Sequence, residues 1–217
     1  MLDVIVLIAL ALILALVLYG KHARRAALLV AEKRRLDRAC ALLQEEFVVL
    51  HLETTGFHAT RHAIIEIGAI RVTPAVVADK EKAEIFQALV KTRKNVPAKV
   101  TDITGLTREI LDRDGDELRD ALARLLEFVD RRRIVSYNAE SDMAFLHAAF
   151  ESVRLPPLRN KVSSALEMSR LAFPQLKDHT LATVARTLGK EQQHRAIGDA
   201  YVALTVYVAA VGRLGRI

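Results

Sequence analysis

The chain has 217 residues, 52% of them hydrophobic, with a formal net charge of +6 and a single cysteine. That length leaves room for one domain of about 170 residues beside a short appendage. The lone Cys40 excludes an intrachain disulfide and a cysteine-rich zinc site, and reads as a small apolar residue on a helix face.

Residues 2–19 form one apolar run interrupted only by Asp3. As a helix these eighteen residues would reach roughly 27 Å, enough for a thin bilayer core. A secretory signal peptide carries basic residues before its apolar run and small residues at a cleavage site after it. Here no Lys or Arg precedes the run, and Tyr19-Gly20-Lys21-His22 follows it. The sequence therefore predicts an uncleaved transmembrane anchor over residues 1–20.

Between Gly20 and Arg38 seven basic residues stand against two acidic ones, so this segment carries +5 of the +6. The charge belongs to one segment and gives no sign of a nucleic-acid groove in the remainder. By the positive-inside rule, the side of the membrane that holds this cluster is the cytoplasm. Residues 21–46 lack Pro and, after Gly20, Gly, and are rich in Ala, Leu, Arg and Glu, which predicts a juxtamembrane helix. Its basic face either lies against anionic headgroups or simply keeps a linker helix solvated.

A single domain is expected over 47–217. Phe47–Leu52 is a short apolar run before Thr54-Thr55-Gly56, a strand followed by a turn. Further strands are predicted at Ile64–Thr73, Ile85–Val90 and Ile134–Tyr137. Leu118, Leu122, Leu125, Leu126 and Val129 have helical spacing within Asp116–Asp130. Helices follow at Asp142–Val153, Ala165–Phe173, Thr180–Leu188 and Asp199–Val211. Three early strands and then mostly helices give an α/β domain, a mixed sheet flanked by helices.

Three patches carry polar residues of a chemically purposeful kind. The first is His51-Leu52-Glu53-Thr54-Thr55-Gly56 at a strand end, with Ile65-Glu66-Ile67-Gly68-Ala69 in the next strand. The second runs from Tyr137-Asn138 through Asp142 to Leu146, and the third is His194-Arg195-Ala196-Ile197-Gly198-Asp199. Together, and in this order, they resemble the motifs of the DEDD-type 3′–5′ exonucleases, the family of the DNA polymerase III epsilon subunit. Ile103-Thr104-Gly105-Leu106-Thr107 is similar to a further family stretch. The resemblance covers about 46–212 and implies an RNase H-like fold.

It also implies a chemistry. Two Mg²⁺ or Mn²⁺ ions activate a water and stabilise the leaving oxygen of a phosphodiester, and such hard cations need oxygen ligands. By resemblance, Glu53, Asp142 and Asp199 are the carboxylate ligands, and His194 is the general base. Thr54, Thr55, Gly56 and Phe57 would lie against the terminal nucleotide of a single strand. Asn138 either bonds backbone near the site or contacts substrate. Read without the family, Asp142 caps the helix it begins, Asp199 is a first-turn acid favoured by the helix dipole, and Phe57 is a core aromatic.

The pattern breaks at His51, where the family has its first aspartate. Strand alternation puts His51 on the same face as Phe47, Val49 and Glu53, so it points into the site. A carboxylate can bridge two ions, whereas neutral imidazole offers one lone pair and no charge. His51 can therefore ligate one ion at most and favours Mn²⁺ or Zn²⁺ over Mg²⁺. Milder departures are Tyr137 and Ser141, where the family has His and Phe. The reading is a metal-dependent 3′–5′ exonuclease at the inner face of a bacterial cytoplasmic membrane. Its rivals are a non-catalytic module binding nucleic acid or a protein partner, and a phosphodiesterase acting on short oligonucleotides.

Overall fold

The computed structural model describes residues 41–78 and 82–215, together with Gly20, Arg24 and Val30. The expected anchor over 1–20 and most of the expected helix over 21–46 lie outside the described residues, although 41–44 are helical.

The elements run β1 (Phe47–Thr54), β2 (Ile64–Val72), α1 (Pro74–Ala78), β3 (Glu84–Leu89), α2 (Ala98–Thr104), α3 (Arg108–Asp114) and α4 (Leu118–Val129). After them come β4 (Arg133–Ser136), α5 (Ala139–Ser152), β5 (Val162–Ser164), α6 (Ala165–Ala172), α7 (Leu181–Thr187) and α8 (Ala196–Gly215). The five strands form one sheet in the order β3-β2-β1-β4-β5. β1 is antiparallel to β2 and parallel to β4, so the sheet is mixed, as the pattern of elements predicts.

β1 lies at the centre and is covered on both faces, which explains its nearly unbroken apolar run. Phe47 and Val49 face the cluster that contains Val202, Ala203, Val206 and Tyr207 of α8. Val48, Leu50 and Leu52 face Leu122 and Leu125 of α4 with Leu146 and Phe150 of α5. Leu50 is fully buried, and truncating such a side chain to alanine costs about 2–5 kcal/mol. The period-two alternation then fixes the other end of the strand. His51 and Glu53 project on the α8 face.

α8 is the one helix among the described residues long and apolar enough to cross a membrane, with a mean hydropathy of 1.3. Here it is a core helix, packed across β1 and β2. It begins at Ala196, three residues before the expected start, which places Asp199 in its first turn.

Four short elements escape the sequence pattern. α2 and α3 are seven residues each, and the turn between them is the Ile103–Thr107 stretch. Gly105 ends α2 in the left-handed region at φ 72°, and the Thr107 hydroxyl caps α3 by accepting from the Ile110 N–H. The five-residue α1 and the three-residue β5 are the others.

Candidate metal centre

The site is assembled where the end of β1 meets the start of α8. In the β1–β2 ladder His51 lies opposite Gly68. A Cβ on Gly68 would stand 2.3 Å from the backbone of Ala196 and Ile197, so only glycine allows α8 to cross the sheet this closely. The close crossing brings Asp199 over β1. The Nε2 of His51 lies 3.8 Å from a carboxylate oxygen of Glu53 and 3.8 Å from one of Asp199. One donor atom from each of these three side chains falls within 4.8 Å of the others. His51 Nδ1 is buried and has no hydrogen-bond partner among the described residues.

Asp199 is completely buried and held by its own loop. Its Oδ1 accepts from the backbone N–H of Gln193 (2.7 Å) and of His194 (3.3 Å), and its Oδ2 accepts from Gln192 Nε2 (2.9 Å). Asp142 lies in the first turn of α5, which starts at Ala139 and not at Asp142 as the sequence predicts. It does not cap that helix. It is buried and accepts a hydrogen bond from the Ser136 hydroxyl at the end of β4. Asp142 stands outside the His51–Glu53–Asp199 trio, but its charge acts on Glu53 and is acted on by His51.

Glu53 and Asp142 hold their protons more tightly than usual. Burial raises the Glu53 carboxyl to about 7, with His51 opposing and the charges of Asp199, Glu66 and Asp142 adding to the rise. Burial likewise raises Asp142 above the usual carboxylate range, against His51 and the Ser136 hydroxyl. Acids crowded out of water in this way are what a cation neutralises.

The remaining predicted residues surround the trio. His194 is exposed on the loop that wraps Asp199, with a left-handed backbone at φ 54° and its N–H on the Asp199 carboxylate. Phe57 is 92% exposed, which corrects its reading as a core aromatic. Thr54 and Gly56 are partly exposed, and the Thr54 hydroxyl donates to the Gly56 carbonyl at 2.7 Å. Thr55 is buried, and its hydroxyl accepts from the Ala63 N–H at 3.0 Å, closing the β1–β2 turn. That commits Thr55 to the turn, while Thr54 and Gly56 beside it are partly exposed and Phe57 is open to solvent. Asn138 is exposed at the N-cap of α5 and makes no side-chain cap bond.

Three contributors were not read from the sequence as site residues: Ser136, Gln192 and the pair Glu66–Arg195. Glu66 is completely buried and directly opposite Glu53 in the ladder. Burial alone would raise its pKa, but hydrogen bonds from Arg195, the Ala196 N–H and Gln87 outweigh it and hold the carboxyl below its ordinary value. A lone acid within the apolar run Ile64–Ala69 was the available signal.

A mixed five-stranded sheet with an acidic cluster where its central strand meets the last helix defines an RNase H-like exonuclease fold. The chain belongs to the Exonuclease family, whose model matches residues 48–207. It is 33% identical over 167 residues to the PolC-type DNA polymerase III of Bacillus subtilis, covering 75% of this chain and 11% of that protein. It is 29% identical over 175 residues to the DNA polymerase III epsilon subunit of Aquifex aeolicus, covering 80% of this chain and 84% of that one. The fold superimposes on Escherichia coli exonuclease I in complex with a dA16 oligonucleotide, with a TM-score of 0.65 and 20% identity. That match covers 80% of this chain and 42% of the other. The chain thus spans about a tenth of the PolC-type relatives and about two fifths of exonuclease I.

The family uses two divalent metal ions, and the donors in this chain fit part of that requirement. Two carboxylates and one imidazole converge on one point, a mixed oxygen and nitrogen set that suits Mn²⁺ or Zn²⁺. A second ion would draw on Asp142, whose Oδ2 is engaged by Ser136, leaving Oδ1.

Proposed function

We propose that the chain is a metal-dependent 3′–5′ exonuclease that hydrolyses phosphodiester bonds at single-stranded ends, DNA foremost. The convergence of His51, Glu53 and Asp199 at the end of β1 carries this reading, since three ligating side chains meet there beside buried Asp142. The names of the relatives support DNA as the substrate, because polymerase III proteins and exonuclease I with bound oligonucleotides share the fold. When bound, the metal supplies an acidified water and charge for the leaving oxygen.

The protein's own residues divide the remaining work. Glu53 and Asp199, with His51 and Asp142, would hold the cations. His194 is on an exposed loop next to Asp199 and would take the proton of the attacking water. Phe57 offers an open ring on which the terminal base can stack, and a splayed single-stranded end suits it better than a blunt duplex. The apolar run over 2–19 and the basic segment after it favour action at the inner face of a bacterial cytoplasmic membrane.

A second reading rests on His51. The loss of a bridging carboxylate favours a descendant that binds nucleic acid or a protein partner without cleaving. Incubation of a 5′-labelled single strand and a closed single-stranded circle with Mn²⁺ separates the two. An exonuclease shortens the strand stepwise from its 3′ end and leaves the circle whole, and Asp199→Asn abolishes the shortening. Binding of the strand with no shortening would establish the second reading, and cleavage of the circle would exclude an exonuclease.

A further inference from the structure

Glu66 accepts five hydrogen bonds in a completely buried setting. Arg195 Nε reaches both of its oxygens, at 3.2 and 3.0 Å, and Arg195 Nη2 reaches Oε1 at 2.7 Å. The Ala196 N–H donates to Oε2 and Gln87 Nε2 to Oε1, both at 2.9 Å. The three bonds from Arg195 tie β2 to the loop before α8, and the one from Ala196 ties it to the first residue of that helix.

Stability does not explain such a pair. Glu66 is fully buried but the Arg195 side chain is 43% exposed, and such a half-solvated pair contributes little net stability, whereas removing Arg195 alone leaves a bare buried charge. A guanidinium bonded through two nitrogens instead fixes direction, because its planar fork meets a carboxylate in few orientations. The direction matters here because the same short loop is tied on its other side to a site residue. The N–H groups of Gln193 and His194 and the side chain of Gln192 all bond Asp199. His194 therefore sits between two anchors, one on α8 and one on β2. Its backbone is left-handed, at φ 54°, a conformation uncommon for a non-glycine residue though histidine adopts it more readily than most.

We propose that Glu66 and Arg195 are positioning residues: they fasten the 192–195 loop to β2, and so hold His194 and the Asp199 carboxylate in register with Glu53. The proposal rests on the exonuclease reading for what this register is for. Neither residue touches the reacting atoms in it.

The test uses the full-length protein in three forms: wild type, Arg195→Lys, and the double variant Glu66→Met with Arg195→Met, which removes both charges together. Three quantities are measured: the melting temperature with and without Mn²⁺, amide hydrogen exchange of Gln193 and His194, and single-strand hydrolysis resolved into kcat and KM. The double variant is expected to fold and to melt somewhat below the wild type, because the Ala196 N–H and Gln87 lose their acceptor. Its two amides should exchange about tenfold faster or more, its Mn²⁺-induced rise in melting temperature should shrink, and its kcat should fall about tenfold or more with little change in KM. Arg195→Lys, which keeps the charge but loses the fork, should move in the same direction. A folded double variant with wild-type exchange and wild-type kcat would overturn the proposal. So would a double variant that no longer folds, because the pair would then be there for stability. If the wild type cleaves nothing while the exchange and Mn²⁺ arms respond as expected, the exonuclease reading fails and the positioning role stands.

Discussion

Replacing Glu53 by glutamine removes the carboxyl whose burial raises it to about 7 from an ordinary 4.5. A folded-state value above the unfolded one means that the metal-free fold prefers this group protonated. The corresponding stability is fully present below pH 4.5 and is lost as the pH rises through 7. At about 1.4 kcal/mol for each pH unit between those two values, the loss across that window is about 3 kcal/mol. In a domain of this size this is about 6–12 °C of melting temperature. Asp142 is raised for the same reason, so the pH slope should flatten in Glu53→Gln without vanishing. Metal binding must expel the proton, so apparent Mn²⁺ affinity should fall about tenfold per pH unit below pH 7. Thermal melts of metal-free wild type and Glu53→Gln between pH 5 and 8, with Mn²⁺ titrations over the same range, measure both effects. A wild-type melting temperature that is flat or rises across this window would show that Glu53 is not held protonated by burial. An equally steep slope in Glu53→Gln would show the same.

Other expectations follow from single contacts. Gly68→Ala puts a methyl into the backbone of α8 and should cost about 1–3 kcal/mol in a denaturant titration, while diminishing the Mn²⁺-induced rise in melting temperature. An unchanged midpoint and metal response would mean that α8 does not cross at Gly68. Phe57→Ala, at an open surface position, should leave stability unaltered but weaken single-strand binding by about 1–3 kcal/mol, read as a rise in KM. Full-length protein should sediment with membranes, and a version lacking residues 1–37 should stay in the supernatant; full-length protein that is soluble without detergent would remove the anchor.

Much of the fold is legible because β1 and its partners are long enough to show their period. Phe47–Leu52 reads as a buried strand, and its alternation correctly places His51 and Glu53 on one face with Phe47 and Val49. The helices α2 and α3 are illegible by the same criterion, since seven residues make about two turns. What forms them is local cap chemistry at Gly105 and Thr107. The family resemblance singled out Glu53, Asp142 and Asp199, but the side chains that support them were not legible. Glu66 and Arg195 are 129 residues apart, and only the fold shows that one is the other's partner. Thr55 was likewise readable as part of a turn, but not as the residue whose buried hydroxyl closes it.

His51 is where the metal-dependent exonuclease reading is most exposed. The deciding experiment is hydrolysis of a labelled single strand by wild type, His51→Asp and His51→Ala, each with Mg²⁺ and with Mn²⁺. With its imidazole facing Glu53 and Asp199, the wild type should work better with Mn²⁺ than with Mg²⁺. His51→Asp restores a bridging carboxylate and should raise the Mg²⁺-supported rate by about tenfold or more, while His51→Ala should lose activity with either metal. A His51→Asp protein that folds normally yet cleaves nothing with either ion would rule out the enzyme and leave the chain a binding module.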